Sequence, residues 1–228
     1  MKLIAFFKRK PGISVDEFQL HWRTKHAELV VRQRGLRRYV QNHVLPSSYR
    51  TREPAFDGVA EAWFDDLDAM RALAPSPEYA AVRADEAHFI DAASMGTVLA
   101  DEAVLVEGAA PPGAVKTITC LRKRSDLSVD EFQKYWRESH ATLAARLPGQ
   151  RRYVQCTARR GIYQAGRTPL YDGVALSWFD DEAALPAVVR SPAYAAMRAD
   201  EPNLLAPGPS PLVVAREVEI DVRSGAAR

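Results

Sequence analysis

Two histidines stand where an imidazole is held against apolar neighbours. His26 follows Phe18 and Trp22 and precedes Leu29 at spacings of 4, 4 and 3, and His140 sits in the same pattern among Phe132, Trp136 and Leu143. On a helix that spacing puts the four side chains on one stripe, so both imidazoles turn toward protein. Further along, Val82, Asp85 and Phe89 are spaced by 3 and 4, as are Met197, Asp200 and Leu204, so a carboxylate also stands on an apolar stripe. Hydrogen bonds from His26 to Asp85 and from His140 to Asp200 are the expected contacts. A carboxylate on one ring nitrogen sets the tautomer and raises basicity, giving a general base near neutral pH. The same pair also reads as a clamp between two helices, because a buried His and a buried Asp each need a partner.

A second constellation alternates along one strand: Arg37, Tyr39, Gln41 and His43 share a face, matched by Arg151, Tyr153, Gln155 and Thr157. That face either offers donors and an aromatic wall to a small ligand or meets solvent. Glu61, between Val59 and Trp63 on alternation, is expected to point inward, where its counterpart is the apolar Leu176. His21, His43, Glu61 and His88 thus face Tyr135, Thr157, Leu176 and Asn203, and the first half carries more titratable groups. The expected catalytic set is His26, Asp85, Glu61 and His43, with Arg37, Tyr39, Gln41 and Trp63 against substrate. His140, Asp200, Arg151, Tyr153 and Gln155 are the second-half equivalents. His21 and His88 read as surface residues, and Trp22, Trp63, Trp136 and Trp178 as core. No local H-x-x-x-H or H-x-H spacing marks a metal site, and nucleophile elbows, phosphate loops and dinucleotide fingerprints are absent. The expectation is no metal and no cofactor.

The elements that must position these residues are written twice. SVDEFQLHWRTKHAEL at 14–29 returns as SVDEFQKYWRESHATL at 128–143, RRYVQ at 37–41 as 151–155, DGVAEAWFDD at 57–66 as DGVALSWFDD at 172–181, and SPEYAAVRADE at 76–86 as SPAYAAMRADE at 191–201. A fixed period of this kind is the mark of a duplicated unit. Each copy opens with a short apolar strand (2–8, 116–122), then a helix begun by the capping box Ser14/Glu17 or Ser128/Glu131. Two strands follow, then a short segment capped by the Asp-Asp pair, a helix with Pro at its first position, and a last strand near 95–106 or 211–221. The order β-α-β-β-α-β makes each copy a ferredoxin-like α+β unit with helices on one sheet face. The other face must be covered. The expected fold is therefore two tandem domains, 1–107 and 115–222, whose antiparallel sheets pair as an intrachain pseudo-dimeric α/β barrel. Residues 108–114 form the linker and 223–228 a tail.

The run DEFxxxWRxxHA, the RRYVQ strand, the DGVAxxWFDD strand and the SPxYAAxRADE helix, taken together, resemble the EthD family of dimeric α/β-barrel domains across both halves. The resemblance implies a ferredoxin-like fold that pairs into a barrel, and an association with oxidative degradation of ether compounds. Related barrels host cyclases, cofactor-free monooxygenases, isomerases and haem-degrading enzymes, so the fold alone does not select a reaction.

Composition narrows the partners. With 31 Lys and Arg against 29 Asp and Glu the net charge is +2 and no long run of one sign occurs, so no obvious electrostatic footprint for nucleic acid is present. No stretch of 18 apolar residues suggests a membrane span, MKLIAFFKRKPG reads as a strand rather than a signal peptide, and a cytoplasmic protein is expected. Cys120 and Cys156 lack ligand or disulfide spacing and read as reduced core residues. Three functional readings stand open. The first is a cofactor-independent enzyme doing acid-base chemistry (cyclisation, dehydration, isomerisation or oxygenation) on a small hydrophobic aromatic or polyketide-like carbonyl compound. The second is an accessory protein that holds a hydrophobic metabolite for an oxidising partner enzyme. The third is a haem- or metal-binding oxidoreductase. The chain is expected to be a monomeric pseudo-dimer or a homodimer.

Overall fold

A computed structural model of the chain describes residues 1–222; the tail expected at 223–228 lies outside them. The first repeat runs β1 (Lys2–Phe7), α1 (Val15–His21), α2 (Ala27–Val30), β2 (Leu36–Val44), β3 (Gly58–Phe64), α3 (Leu67–Arg71), α4 (Pro77–Phe89) and β4 (Gly96–Val106). The second runs β5 (Val115–Leu121), α5 (Val129–Tyr135), α6 (Ala141–Ala144), β6 (Gln150–Ala158), α7 (Arg160–Gln164), β7 (Gly173–Phe179), α8 (Leu185–Val189), α9 (Pro192–Asp200) and β8 (Leu212–Ile220). The strands are hydrogen-bonded in the order β1-β3-β2-β8-β5-β7-β6-β4 around a closed antiparallel barrel. Among the described residues no helix is long and apolar enough to cross a membrane.

The compact units differ from the sequence repeats by an exchange of strand ends. Among the described residues one unit comprises Met1–Leu99 with Arg216–Val222, and the other comprises Ala100–Ala215. The physical reason is pairing: from Ala100 onward β4 hydrogen-bonds to β6 of the second repeat, while β8 pairs with β5 only as far as Ala215.

Within the first unit β3 is central, pairing with β1 (Leu3 opposite Ala62) and with β2 (Tyr39 opposite Ala62). Alternation sends Tyr39 and Phe64, with Leu3, Ala60 and Ala62, against Ala27, Val30 and Val82 of the helices and Leu73 of the turn after α3. Phe7, Phe18, Trp22, Phe89 and Ile90 form a second cluster beside it. The second unit repeats this, with Leu121, Phe132, Trp136, Leu204 and Leu205 in one cluster. Cys120 and Cys156 are buried free thiols.

The helix read as continuous from Ser14 is interrupted. Its start is as expected, with Ser14 and Glu17 completing a capping box. Residues Trp22–His26 then form one π turn, in which the Ala27 N–H reaches the Trp22 carbonyl five residues back. The Gln41 side chain donates to that carbonyl as well, at 2.8 Å, and Gln155 does the same to Trp136 at 2.9 Å. A side chain inserted at the helix ladder is a sufficient cause for such a widened turn. The widening moves the buried stripe, so Val30 rather than Leu29 continues it below His26.

At Gly58 the sheet backbone is approached closely by core rings. A Cβ there would lie 2.6 Å from Phe7 Cε2 and 2.8 Å from Trp22 Cζ3. Both rings are locked in the core, so Gly58→Ala is expected to cost about 1–3 kcal/mol through overpacking, measured by denaturant unfolding. An unchanged unfolding midpoint would refute this packing account.

Candidate active site

The π turn decides which imidazoles meet the carboxylate. His26 donates from Nδ1 to Asp85 Oδ2 at 2.8 Å, as expected, and His21 donates from Nε2 to Asp85 Oδ1 at 2.9 Å. His21 is therefore part of the site rather than a surface residue. Five residues on a regular α-helix would place His21 and His26 on different faces, whereas a π turn returns them to the same side. His88 is exposed. In the second repeat His140 donates to Asp200 Oδ2 at 2.8 Å, while Tyr135 and Asn203 donate to Oδ1 at 2.6 and 2.9 Å. Burial pushes Asp200 up, but the hydrogen bonds from Tyr135, Asn203 and His140 outweigh it and leave the carboxyl below its ordinary range.

The His26 side chain is 5% exposed. Burial drives its pKa below the usual value, and neither the hydrogen bond nor the charge of Asp85 restores it. The ring is thus neutral at pH 7. With its Nδ1 proton on Asp85, the lone pair lies on Nε2, which takes no partner among the described residues.

His26 lines a cavity of about 440 Å³ between the helices and the sheet, floored by Leu3, Ala5, Ala60 and Ala62 and walled by Tyr39, Val82 and Glu86. That volume falls within the usual range of small-molecule pockets. The corresponding cavity in the second unit, beside His140 and Tyr153, is about 230 Å³. A larger surface groove of about 630 Å³ around Arg124, Asp126 and Gly208 holds no imidazole.

Tyr39 presents a specific donor to the first cavity. Its hydroxyl oxygen accepts from Trp22 Nε1 at 3.0 Å and from Gln41 Nε2 at 3.3 Å. Both lone pairs are then used, and the O–H itself has no acceptor among the described residues. Burial raises the phenol pKa, so the proton stays on. His43 holds the arrangement from behind: its Nε2 donates to Gln41 Oε1 at 2.9 Å, and its ring lies 4.6 Å from that of Trp22. In the second repeat Thr157 replaces it, and Gln155 Oε1 is buried without a hydrogen-bond partner among the described residues.

The expected site is only partly assembled. Tyr39, Gln41 and His43 contact Trp22 and Asp85 holds His26, but of these residues His26 and Tyr39 line the cavity while Asp85, Gln41 and His43 support it. Glu61 and Trp63 lie on the opposite sheet face, because Ala60 and Ala62 take the helix side. There Glu61 is ion-paired with Lys2 at 2.5 Å and accepts from Asn42 at 2.8 Å, while the Lys2 ammonium lies 4.6 Å from the Trp63 ring. Arg37 and Arg151 leave the pocket face because a β-bulge beside each resets the alternation. They form surface ion pairs with Asp65 and Asp180. Glu86, missed in the sequence reading, lines the cavity with its pKa raised by burial, the nearby Arg83 only partly opposing this. Its spacing of four from Val82 was the available signal. Among the described residues no group of three or more His, Cys, Asp or Glu side chains is arranged to hold a metal ion.

The profile of the EthD domain matches residues 10–93 and again 124–208. The chain belongs to the EthD family. No curated protein matches it. Among solved structures, an anthrone oxidase-like protein is 13% identical, with 96% of this chain and 92% of that one covered and a TM-score of 0.62. Two monooxygenases assigned provisionally, from Fusobacterium nucleatum and Lactobacillus acidophilus, are each 10% identical over 95% of this chain and 92% of their own, with TM-scores of 0.58 and 0.55. At these identities the likeness is one of fold. The EthD repeats differ in their sites, and that difference is internal to the chain.

The neutral His43 of this EthD protein has a thermodynamic consequence. Burial, with a smaller contribution from the Arg23 charge, pushes its pKa down to about 3 from an ordinary 6.5. Below pH 6.5 the unfolded chain binds this proton and the folded protein does not, so stability present above pH 6.5 is lost as the pH falls toward 3. The slope from this group is at most about 1.4 kcal/mol per pH unit. His43→Thr, which installs the residue of the second repeat, is expected to flatten the stability profile between pH 6.5 and 5. Denaturant unfolding across that range measures it, and an unaltered slope would contradict the assignment.

Proposed function

We propose that the cavity of the first repeat catalyses proton abstraction from a small, fused-ring carbonyl compound, without a cofactor, as the opening step of an oxygenase-type reaction. The observation that carries this reading is the neutral His26, with Nδ1 on Asp85 and Nε2 unpartnered at an apolar 440 Å³ cavity. A C–H next to a carbonyl loses its proton to Nε2. Asp85 stabilises the resulting imidazolium, and the Tyr39 hydroxyl donates to the oxygen on which the negative charge develops. The enolate is the electron-rich species that dioxygen attacks. Overall a CH₂ becomes C=O with water as the second product, four electrons passing from carbon to O₂. The name of the anthrone oxidase-like neighbour supplies the substrate class to try first and supports this reading only at the level of fold.

Exchange of α-hydrogens of 2-tetralone in D₂O under nitrogen isolates the proton step from oxygen chemistry. The wild type is expected to accelerate deuterium uptake, and His26→Gln to lose about 10²- to 10⁴-fold of that acceleration. Because burial holds the His26 pKa below its ordinary value, the rate is expected to be level from pH 6.5 upward and to fall only at lower pH, where the imidazole takes up its proton. Exchange by His26→Gln at the wild-type rate would rule out the imidazole as base.

A second reading, an accessory protein that holds a hydrophobic metabolite, is favoured by one observation. The His140–Asp200 bond reproduces the 2.8 Å of the first repeat beside a cavity about half as large, as a helix clamp would. Under that reading His26→Ala and His140→Ala lose equal stability, and neither alters deuterium uptake.

A further inference from the structure

We infer that the second repeat is a separate binding site, for a neutral single-ring compound bearing hydroxyl or carbonyl groups, rather than a reduced copy of the first. The cavity beside His140 is about 230 Å³. An engineered apolar cavity of about 150 Å³ takes benzene, so one substituted ring is the ligand size this cavity suits. Its wall carries the larger side chains Val189 and Met197 where the first repeat has Ala74 and Val82.

The floor has also changed its chemistry. Leu3, Ala5 and Ala62 line the first cavity, whereas Thr117, Thr119 and Ser177 hold the equivalent places in the second. Thr117 and Ser177 are directly opposed across the β5–β7 ladder, so their side chains are close neighbours. The hydroxyls of Thr117 and Thr119 take no partner among the described residues. Ser177 Oγ accepts from Gln150 Nε2 at 3.0 Å, and its own proton remains available. Three hydroxyls on one otherwise apolar surface recognise polar substituents of a ring and penalise a bare hydrocarbon, which leaves them unpaired. The charged groups at the edge, Arg198 and Glu201, are paired with each other at 2.7 Å, so the site has no free charge there to recruit an ion. This inference requires no turnover in the first repeat.

Catechol is the probe. Titrated into the wild-type protein and followed by NMR, it is expected to shift the ring resonances of His140 and the methyls of Thr117 and Thr119, and to leave His26 in place. Thr117→Val keeps the shape and removes one hydroxyl, and is expected to weaken catechol binding three- to tenfold. Thr117→Leu/Thr119→Ala/Ser177→Ala, checked for folding by near-UV circular dichroism, is expected to weaken it further and to bind toluene more tightly than the wild type does. Catechol that shifts His26 instead of His140, that shifts neither, or that binds Thr117→Val as tightly as the wild type would overturn the inference. The wild-type and Thr117→Val measurements decide the matter even if the triple variant fails to fold.

Discussion

The amide of Gln41 reaches from the sheet into the backbone of the helix that covers it, and much of the site depends on that contact. By donating to the Trp22 carbonyl it supports the π turn at Trp22–His26. The wider turn places His21 and His26 on one side, where both donate to Asp85. The second hydrogen of the same amide goes to the Tyr39 hydroxyl, which fixes the direction left for the phenolic proton. A helix, a strand and two pocket residues are thus tied through one side chain that is itself wholly buried.

Burial then sets the chemistry. A histidine beside a carboxylate in water becomes more basic, and the sequence pattern invites that conclusion for His26. Here desolvation outweighs Asp85, and the imidazole is kept neutral with a defined tautomer. For a base, the neutral form with an exposed lone pair is the useful one. His43 shows the same desolvation in a different setting, since its Nε2 proton goes to Gln41 and its ring packs on Trp22.

Duplication makes the comparison of the two repeats informative, because each serves as a control for the other. The His–Asp hydrogen bond, the amide to the π turn and the capping box recur with nearly the same distances. The buttress behind Gln41 and the polarity of the cavity floor do not recur. What is common to both repeats starts the first helix, ties it to the second helix and ties it to the sheet, and what differs lies at or behind the cavities. This division accommodates a structural role for the His–Asp pair together with a chemical role for His26 in the first repeat.

The repeats, their β-α-β-β-α-β order and the His26–Asp85 and His140–Asp200 contacts were all legible in the sequence. Capping boxes, apolar periodicity and a fixed repeat length are local signals, and two stripes packed on one sheet face have few ways to meet. Glu61 and Arg37 were not legible in the same way. One residue of register decides the face on which a strand side chain emerges, and the bulge beside Arg37 is a property of pairing with β3 rather than of the RRYVQ segment. His21 was hidden for a related reason, since the π turn that brings it beside His26 is supported by Gln41, a residue of a different element. The exchange of strand ends between the units followed from ladder pairing across the two repeats. Sequence alone determined which elements form and which of their faces are apolar, because those depend on neighbours along the chain. Tertiary structure alone decided which polar groups share a cavity and which are neutral there, because registry, desolvation and hydrogen-bond partners come from residues distant in the chain.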